Sequence, residues 1–351
     1  MNKRPPKNGE IRIKEINTLL IDGSALFKSS FFGAKDRYNK DGQHIGGLFQ
    51  FLTTLRMVLE HDLYHRVIVF WDGNFSGKLR YEIYEPYKSG RGKDYINGTQ
   101  PIDESELAQR RVLWDYLEAL YIRQVKDEII EGDDYIAYYC INRNENEKIT
   151  ILSNDRDMCQ LIDEDVKVYF CDIKIYIDNV NYSSYFCHHK DNSVLLKTIT
   201  GDNSDSIKGI KGVKEKTLLN YFPQLKERKV VLTEIIQDAK QQQLERLKQK
   251  EKPLKVLDNI INAVTDGVQG NRIYEINNIL VNLKNPLVTE KAIRELERVL
   301  EEPLDLSEVS FKDVLELIKR DGLDEALGEN RMKDYLLPFK KLVEREKNNN
   351  Y

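Results

Sequence analysis

Aspartates follow three separate apolar runs of this 351-residue sequence, and their type and position could support metal chemistry. Asp22, Asp72 and Asp155 each come within three residues of the end of one run. Carboxylate oxygens are the ligands that Mg²⁺ and Mn²⁺ prefer in proteins. A single aspartate in such a place is usually a turn residue or a helix cap. Three of them at equivalent places indicate a shared role.

A second group of acids lies close together in the chain. Glu131, Asp133 and Asp134 fall within four residues, just before the helix-like stretch 135–141. Acids here can cap a helix and offset its dipole. Three adjacent carboxylates nevertheless repel one another unless a cation lies between them. Three further aspartates, in segments that could be simple turns, complete the candidate ligands: Asp157, Asp202 and Asp205.

A cluster of hard oxygen donors without cysteine or histidine is typical of phosphate chemistry. Two divalent ions about 4 Å apart can hold the attacking and the leaving oxygen of an in-line displacement. Water bound to such an ion becomes the nucleophile, so no serine, histidine or cysteine nucleophile is required. A calcium loop is the alternative for the same acids, but its Asp-x-Asp-x-Asp-Gly spacing is absent from the sequence.

The three apolar runs predict the strands that would position these acids. They are short, rich in β-branched and aromatic residues, and bounded by polar residues or glycine: 18–21, 67–71 and 149–152. Helix-like stretches at 47–60 and 104–121 lie between them. Alternating strands and helices predict a parallel sheet covered on both faces. Because ligand crevices in such sheets lie beyond the carboxyl ends of the strands, we expect the acids to converge on one rim.

Two basic segments accompany the acids. Residues 78–93 combine five cations with three tyrosines, which could bind phosphates and stack on bases, or could form a solvated, mobile segment. Residues 206–217 carry four lysines among glycines, and a helix is expected to follow. Glycines and lysines in this pattern are a weak signal when taken alone.

Beyond residue 191 the sequence pattern changes to helix. Residues 193–200 predict a helix, and 224–253 predict solvated helix and linker. Further helical segments are expected in the rest of the chain, at 277–281, 289–301, 310–320 and 331–347.

Composition places few limits on function. Apolar residues make up 40% of the chain, which is enough for a core, and the net charge of −4 says little about local basic surfaces. No run approaches the ~20 apolar residues of a membrane helix. The four cysteines form no Cys-x-x-Cys pair, which favours reduced thiols over a zinc site. The polar N-terminus lacks a secretion signal, and we expect a cytoplasmic protein.

Taken together, these segments resemble the flap-endonuclease and 5′–3′ exonuclease family. The likeness is greatest to stand-alone bacteriophage enzymes and to the 5′-nuclease domain of bacterial DNA polymerase I. The matching pieces occur in family order over residues 18 to about 220: Ile21-Asp22-Gly23-Ser24, Phe70-Trp71-Asp72-Gly73, Arg80, Tyr87-Lys88-x-x-Arg91, Glu131-Gly132-Asp133-Asp134, Ser153-Asn154-Asp155-Arg156-Asp157, and Leu196-Lys197-x-x-x-Gly201-Asp202-x-x-Asp205-x-Ile207-x-Gly209-Ile210-x-Gly212-Val213.

The resemblance implies an α/β fold with a PIN-like parallel sheet, a helical arch and a C-terminal helix–three-turn–helix domain. A flexible lead would occupy residues 1–16, and the nuclease domain 17–190, with its arch at about 75–110. The duplex-binding domain would occupy 191–285, and a helical extension 286–351.

The resemblance also implies roles for individual residues. One metal would be held by Asp22, Asp72, Glu131 and Asp133, and a second by Asp155, Asp157 and Asp205, with Asp134 and Asp202 further out. Lys88 and Arg91 would contact the scissile phosphate and act with Asp22, Asp72, Asp133 and Asp155 in catalysis. The remaining nucleic-acid contacts are predicted at Arg80, at Tyr87 as a stacking platform, and at Lys197, Lys208, Lys211, Lys214 and Lys216.

The implied function is a structure-specific 5′ nuclease that uses two Mg²⁺ ions, or Mn²⁺ in their place, and leaves a 5′-phosphate. Its substrate would be DNA or RNA–DNA with a 5′ end or flap, and it would act as a monomer alongside a polymerase, clamp or single-strand-binding protein. A K⁺ site of backbone carbonyls occurs in relatives, but Lys214 replaces its usual glycine here. The alternatives are a non-catalytic junction-binding relative and a PIN-type ribonuclease.

Overall fold

The computed structural model describes residues 15–34, 36–91, 103–265, 270, 272–304, 309–327 and 331–348. The flexible lead predicted for residues 1–16 lies almost wholly outside these ranges, as does the middle of the predicted arch.

A six-stranded sheet forms the centre of the described chain. Its strands are β1 (Ile16–Asp22), β2 (Arg66–Trp71), β3 (Arg123–Lys126), β4 (Glu147–Leu152), β5 (Val166–Phe170) and β6 (Ile175–Ile177). They lie in the order β3-β2-β1-β4-β5-β6, and all neighbours are parallel except β5 and β6. The predicted parallel sheet is therefore confirmed, together with its three predicted strands.

Helices cover both faces of this sheet. In the first part of the chain they are α1 (Gly23–Gly33), α2 (Gly46–His61), α3 (Lys78–Ile83), α4 (Glu104–Ala119) and α5 (Gly132–Ile141). Short 3₁₀ turns follow at Ser89–Arg91 and Arg156–Leu161. The helices predicted at 47–60, 104–121 and 135–141 are confirmed with small shifts of their ends.

Alternation of side chains along the strands divides the core in two. Leu19 and Ile21 of β1 pack in a cluster that includes Phe51 of α2. Leu20, between them, points to the other face and packs with Tyr135 of α5. All five side chains are fully buried, which explains why the strands are apolar throughout rather than alternating with polar residues.

The second part of the chain is helical with one small hairpin. Its elements are α6 (Ser193–Thr200), β7 (Gly201–Asp202), β8 (Ile207–Lys208), α7 (Glu215–Tyr221), α8 (Leu232–Lys248), α9 (Lys255–Ile261) and α10 (Arg272–Val281). They enclose a core of their own around Ile199, Leu218, Phe222 and Leu257. The predicted helices in this part are confirmed.

The last helices return to the sheet. They are α11 (Glu290–Glu301), α12 (Lys312–Arg320), α13 (Leu323–Leu327) and α14 (Met332–Lys347). Leu296 of α11 joins the core on one face, and Phe339 of α14 joins the core on the other. The predicted extension 286–351 thus shares both cores of the sheet. Across the described residues, no helix has the length and apolar character that crossing a membrane requires.

Candidate functional site

The three strand-end aspartates line one cavity of about 900 Å³. Asp22 ends β1, Asp72 follows β2, and Asp155 lies three residues beyond β4. Strand β1 is paired with β2 on one side and β4 on the other, so the three strand ends are neighbours. The predicted convergence of these carboxylates on one rim of the sheet is confirmed.

Two serines hold these aspartates in place. Ser153 Oγ donates to Asp22 Oδ2 at 3.0 Å and accepts from the Asp155 amide at 3.1 Å. Ser24 Oγ accepts from the Asp72 amide at 2.9 Å. Both serines were missed as functional residues, although they stand beside the acids in Asp-Gly-Ser and Ser-Asn-Asp.

Helix termini orient two of the carboxylates. Asp22 caps α1 by accepting from the Ala25 amide at 3.0 Å. Asp72 Oδ1 accepts from the Gly132 amide at 2.8 Å, at the start of α5. The helix-cap interpretation of Asp22 is therefore correct, and the cap uses Oδ1 while Oδ2 accepts from Ser153.

Negative charge in the cavity is not balanced at every carboxylate. Burial, with repulsion from Asp72, raises the pKa of Asp22 to about 7. Burial, with repulsion from Glu131 and Asp134, raises the pKa of Asp133 well above its usual range. Asp133 Oδ1 is buried and has no hydrogen-bond partner. A buried carboxylate oxygen without a donor is the arrangement that a bound cation would satisfy.

Glu131 and Asp134 differ from Asp133 because basic side chains already contact them. Ligand atoms of these three acids lie within 4.8 Å of one another. Arg80 Nη1 pairs with both Glu131 and Asp134, and Arg80 Nη2 donates to Asp134 Oδ1 at 2.9 Å. Burial alone would raise the pKa of Glu131, but Lys88 and Arg80 lower it to about 2. Of the three, Asp133 is therefore the acid with most remaining capacity for a metal.

Two residues predicted to contact nucleic acid, Arg80 and Tyr87, are buried and engaged within the protein. Arg80 is 3% exposed, and its guanidinium is used by Glu131, Asp134 and the Leu280 carbonyl. Tyr87 is also 3% exposed, and its hydroxyl donates to Glu131 at 3.1 Å. Neither side chain can reach or stack on a substrate while it makes these contacts. The sequence pattern of cations and tyrosines could not reveal which of them turn inward.

Lys88, predicted to contact a phosphate, lies at the wall of the cavity. Its ammonium pairs with Glu131, and its amide donates to the Asp205 carbonyl at 2.8 Å. Its φ of 52° is in the left-handed region, which bulky residues seldom adopt. Arg91 ends the 3₁₀ turn Ser89–Arg91, but its side chain lies outside the described residues.

Arg110 is a cavity residue that the sequence did not single out. It projects from α4, donates to Ser24 Oγ at 2.8 Å, and lies over the Trp71 ring with its Cζ 5.0 Å from the ring centroid. Burial lowers the pKa of Arg110, while the nearby Asp72 opposes this. The available signal was weak, because Arg110 is one of several charged residues in that helix.

The second group of acids is arranged differently from the first. Lys197 pairs with Asp157, and its Nζ lies 2.6 Å from Asp202 Oδ2. Burial raises the pKa of Asp157 to about 6, whereas Lys197 and Ser204 lower that of Asp202 to about 2 despite its burial. Asp157, Lys197 and Asp202 line a neighbouring cavity of about 440 Å³. Lys197, predicted to bind duplex, is instead engaged by two carboxylates.

The hairpin β7–β8 explains the glycines between residues 201 and 212. A Cβ at Gly201, whose φ is 71°, would overlap the Gly209 backbone. Gly209 also permits close packing within the chain, because a Cβ there would overlap the Thr200 carbonyl. Gly212 also has positive φ, but Lys214 has a φ of −113° and carries no strain. The exposed lysines of this region are Lys208, Lys211, Lys214 and Lys216.

Comparison with known proteins begins with the nuclease part of the chain. Residues 17–188 match the family profile described as 5′-3′ exonuclease, N-terminal resolvase-like domain. A 5′-3′ exonuclease of Mycoplasmopsis pulmonis is 28% identical over 222 residues, which is 60% of this chain and 68% of that protein.

A longer relative and a solved structure extend the comparison. The thermostable DNA polymerase I of Thermus caldophilus is 28% identical over 205 residues, or 58% of this chain, and the match spans only 23% of the polymerase. The bacteriophage T5 flap endonuclease, solved as a pseudo-enzyme-product complex with DNA and metal ions, has a similar fold. Its TM-score is 0.56 at 19% identity, covering 86% of this chain and 99% of that one.

Proposed function

We propose that this protein is a metal-dependent, structure-specific 5′ nuclease, because residues 17–188 match the family profile described as 5′-3′ exonuclease, N-terminal resolvase-like domain. The proposal is supported above all by one observation. Carboxylates from four separate segments line a single cavity, and one of them, Asp133, has a buried oxygen without a donor. A site built only for binding nucleic acid would gain nothing from acids that face phosphate.

The donor set fits small, hard cations, and we propose Mg²⁺ with Mn²⁺ as a substitute. When bound, such ions activate water and offset charge on the phosphate being cut. The residues proposed to hold one ion are Asp22, Asp72, Glu131 and Asp133. The residues proposed for the second are Asp155, Asp157 and Asp205, with Asp134 and Asp202 in supporting positions.

Basic side chains of the cavity wall are proposed to stabilise the charge that grows on the phosphate. Lys88 pairs with Glu131 before a substrate arrives, and it lies where a phosphate beside the acids would meet its ammonium. We propose that Lys88 and Arg91 donate to the scissile phosphate, and that Arg110, which also lines the cavity, adds positive charge there. Water-mediated hydrolysis would leave a 5′-phosphate.

The substrate is proposed to be DNA or RNA–DNA with a 5′ end or flap. Exposed Lys208, Lys211, Lys214 and Lys216 would bind the backbone of its duplex part, so affinity should fall with rising salt. We propose a monomer that acts beside a polymerase, clamp or single-strand-binding protein. A K⁺ site at the hairpin stays a prediction, and it is compatible with Lys214, whose negative φ carries no backbone strain.

Substitution of Asp155 tests the metal assignment directly. Asp155→Asn should abolish cleavage and leave DNA binding largely intact, because the neutral amide keeps the shape of the turn but is a poor ligand for a hard cation. Asp178→Asn is the matched control. Each aspartate accepts a hydrogen bond from the backbone amide two residues later, at 2.9 Å for Asp178 and 2.8 Å for Asp155. Asp178 does not line the cavity. Normal turnover by Asp155→Asn would contradict the assignment.

Substrate choice separates the proposed nuclease from its two alternatives. End-labelled flap, nicked, overhang and RNA–DNA hybrid substrates would be incubated with Mg²⁺ or with EDTA, and product sizes read. Mg²⁺-dependent cleavage near the 5′ branch is expected. Binding without cleavage would favour a junction-binding protein. Cleavage of single-stranded RNA alone would favour a PIN-type ribonuclease.

A further inference from the structure

Residues 280–287 comprise the last two residues of α10 and most of its connection to α11, and they contact both acid-bearing parts of the cavity; we call this segment the strap. Four of its backbone groups bond to buried side chains from elsewhere in the chain. Leu280 and Val281 offer carbonyl oxygens, and Leu283 and Leu287 offer amides. The strap is thus held by side chains from the nuclease part of the molecule.

Arg80 makes the first of these connections. Its Nε donates to the Leu280 carbonyl at 3.0 Å, while its two Nη atoms contact Glu131 and Asp134. Asp134 Oδ1 in turn accepts from the Leu287 amide at 2.9 Å. The acid cluster of α5 is therefore joined to both ends of the strap through one guanidinium and one carboxylate.

Gln160 makes the second connection. It is 3% exposed and lies in the 3₁₀ turn that begins directly after Asp155 and includes Asp157. Its Nε2 donates to the Val281 carbonyl at 3.0 Å, and its Oε1 accepts from the Leu283 amide at 3.2 Å. Both polar ends of one side chain are used, so the turn has a defined position relative to the strap.

The strap continues directly from the helix that supports the lysine-bearing hairpin. Asn277 of α10 is fully buried, and its Nδ2 donates to the carbonyls of Thr198 and Lys208 at 3.1 and 2.9 Å. Leu280 and Val281 pack with Ile207 of the hairpin and with Tyr87. The strap and the surface proposed to bind duplex are thus parts of one packed unit.

We infer that Arg80 and Gln160 are positioning residues that set the two acid-bearing segments against the strap, and through it against the duplex-binding part. The inference rests on the proposed function, since it concerns how well the carboxylates hold metal ions. Removal of a group that hydrogen-bonds to a metal ligand and orients it typically weakens metal binding by about 10- to 100-fold. A side chain that merely adds stability would change the folding equilibrium without this effect.

Mn²⁺ titration followed by calorimetry tests the inference without requiring turnover. Gln160→Ala and Arg80→Lys are each expected to weaken Mn²⁺ binding by about tenfold or more. Cleavage by both variants should need a correspondingly higher Mg²⁺ concentration and should recover when Mg²⁺ is raised. Arg80→Lys keeps a positive charge but loses the fork that reaches Leu280 and both acids together.

The chain offers a matched control for each variant. Gln243 is 6% exposed and bonds to both backbone groups of Leu254. Its Nε2 donates to the Leu254 carbonyl at 3.0 Å, and its Oε1 accepts from the Leu254 amide at 2.9 Å. Arg123 is 7% exposed, pairs with Glu346, and donates from Nε to the Val299 carbonyl at 3.3 Å. Gln243→Ala and Arg123→Lys should lower the Tm of the metal-free protein and leave Mn²⁺ affinity unchanged.

Several outcomes are distinguishable. If Gln160→Ala binds Mn²⁺ as tightly as Gln243→Ala, the inference is overturned, whatever happens to the folding of Arg80→Lys. If the wild-type protein binds Mn²⁺ but cuts none of the substrates, the proposed function fails, while weaker binding by the two variants would still support the strap. If the wild-type protein binds no Mn²⁺, both are overturned.

Discussion

At the scale of single residues, the cavity carboxylates are held where their charges repel one another. Asp22 illustrates the cost, because its pKa is raised to about 7 by burial and by Asp72. Asp133 is also raised, and it keeps an oxygen without a donor. Such conflicts between local stability and charge placement are expected at functional sites, where a ligand resolves them.

Asp22 gives a prediction for the stability of the metal-free protein. The folded-state pKa of Asp22 lies above its unfolded value of 3.8, so its stabilising contribution is present below about pH 4 and is lost as the pH rises through about 7. Asp22→Asn should therefore stabilise the protein in EDTA at pH 8, by at most about 4 kcal/mol. The gain should shrink towards pH 4, as measured by urea unfolding.

Added Mg²⁺ provides the control for this pH effect. It should stabilise the wild-type protein at pH 8 more than the Asp22→Asn variant, because only the wild-type site keeps its full set of carboxylates. A constant difference in stability between the two proteins from pH 4 to pH 8 would show that Asp22 is not the source of the pH dependence.

Lys88 gives a prediction for catalysis. Lys88→Ala should lower kcat by about 10²-fold and raise KM much less, because its ammonium would act mainly on charge that develops in the transition state. Lys78→Ala is the control, since Lys78 lines the same cavity but its side chain is 55% exposed and pairs with Glu82. Equal changes in kcat and KM for Lys88→Ala would mean that the lysine only positions the substrate.

At the scale of elements, parallel strands explain why distant acids meet. Asp22, Asp72 and Asp155 come from different parts of the chain, yet each follows the carboxyl end of a strand. Neighbouring parallel strands end at the same edge, so this placement alone brings the residues together. The hairpin β7–β8 is positioned differently, by close packing of backbone atoms at Gly201.

The hairpin can be tested with two glycines that differ in their surroundings. Gly201 and Gly212 have φ values of 71° and 77°, but a Cβ would overlap backbone atoms only at Gly201. Gly212→Ala should cost about 1–2 kcal/mol from its φ alone. Gly201→Ala should cost clearly more and should also weaken DNA binding. Urea unfolding with a filter-binding assay would measure both, and equal costs would contradict the packing account.

At the scale of the whole molecule, the C-terminal helices complete the core of the nuclease part. Phe339 is fully buried among residues of the sheet and its helices, although more than 300 residues separate it from β1. Charge is also distributed unevenly, with acids in the cavity and exposed lysines on the hairpin region. A net charge of −4 is therefore compatible with a nucleic-acid partner.

Phe339 tests whether the extension folds together with the sheet. Phe339→Ala should lower the free energy of unfolding by about 3–5 kcal/mol, as for other large buried side chains. Leu337→Ala, in the same helix but 46% exposed, should cost much less. Near- and far-ultraviolet circular dichroism should report one shared transition in both variants. An early, separate transition of the C-terminal helices would contradict a shared core.

Local patterns in the sequence determined the main strands, most helices and the identity of the cavity acids. The runs before Asp22, Asp72 and Asp155 have the length and composition of buried strands, and that information is contained in a few consecutive residues. Strands β3, β5 and β6 were not predicted; β3, for example, is a four-residue strand with only one apolar side chain.

Only the tertiary structure decided which charged groups contact one another. Arg80, Tyr87 and Lys197 have the composition of a nucleic-acid surface, yet each contacts carboxylates of the protein, and two of them are buried. Gln160 and the strap had no sequence signal at all. The physical reason is that a charged or polar side chain is stabilised by partners distant in sequence, and its own neighbours in the chain do not specify them.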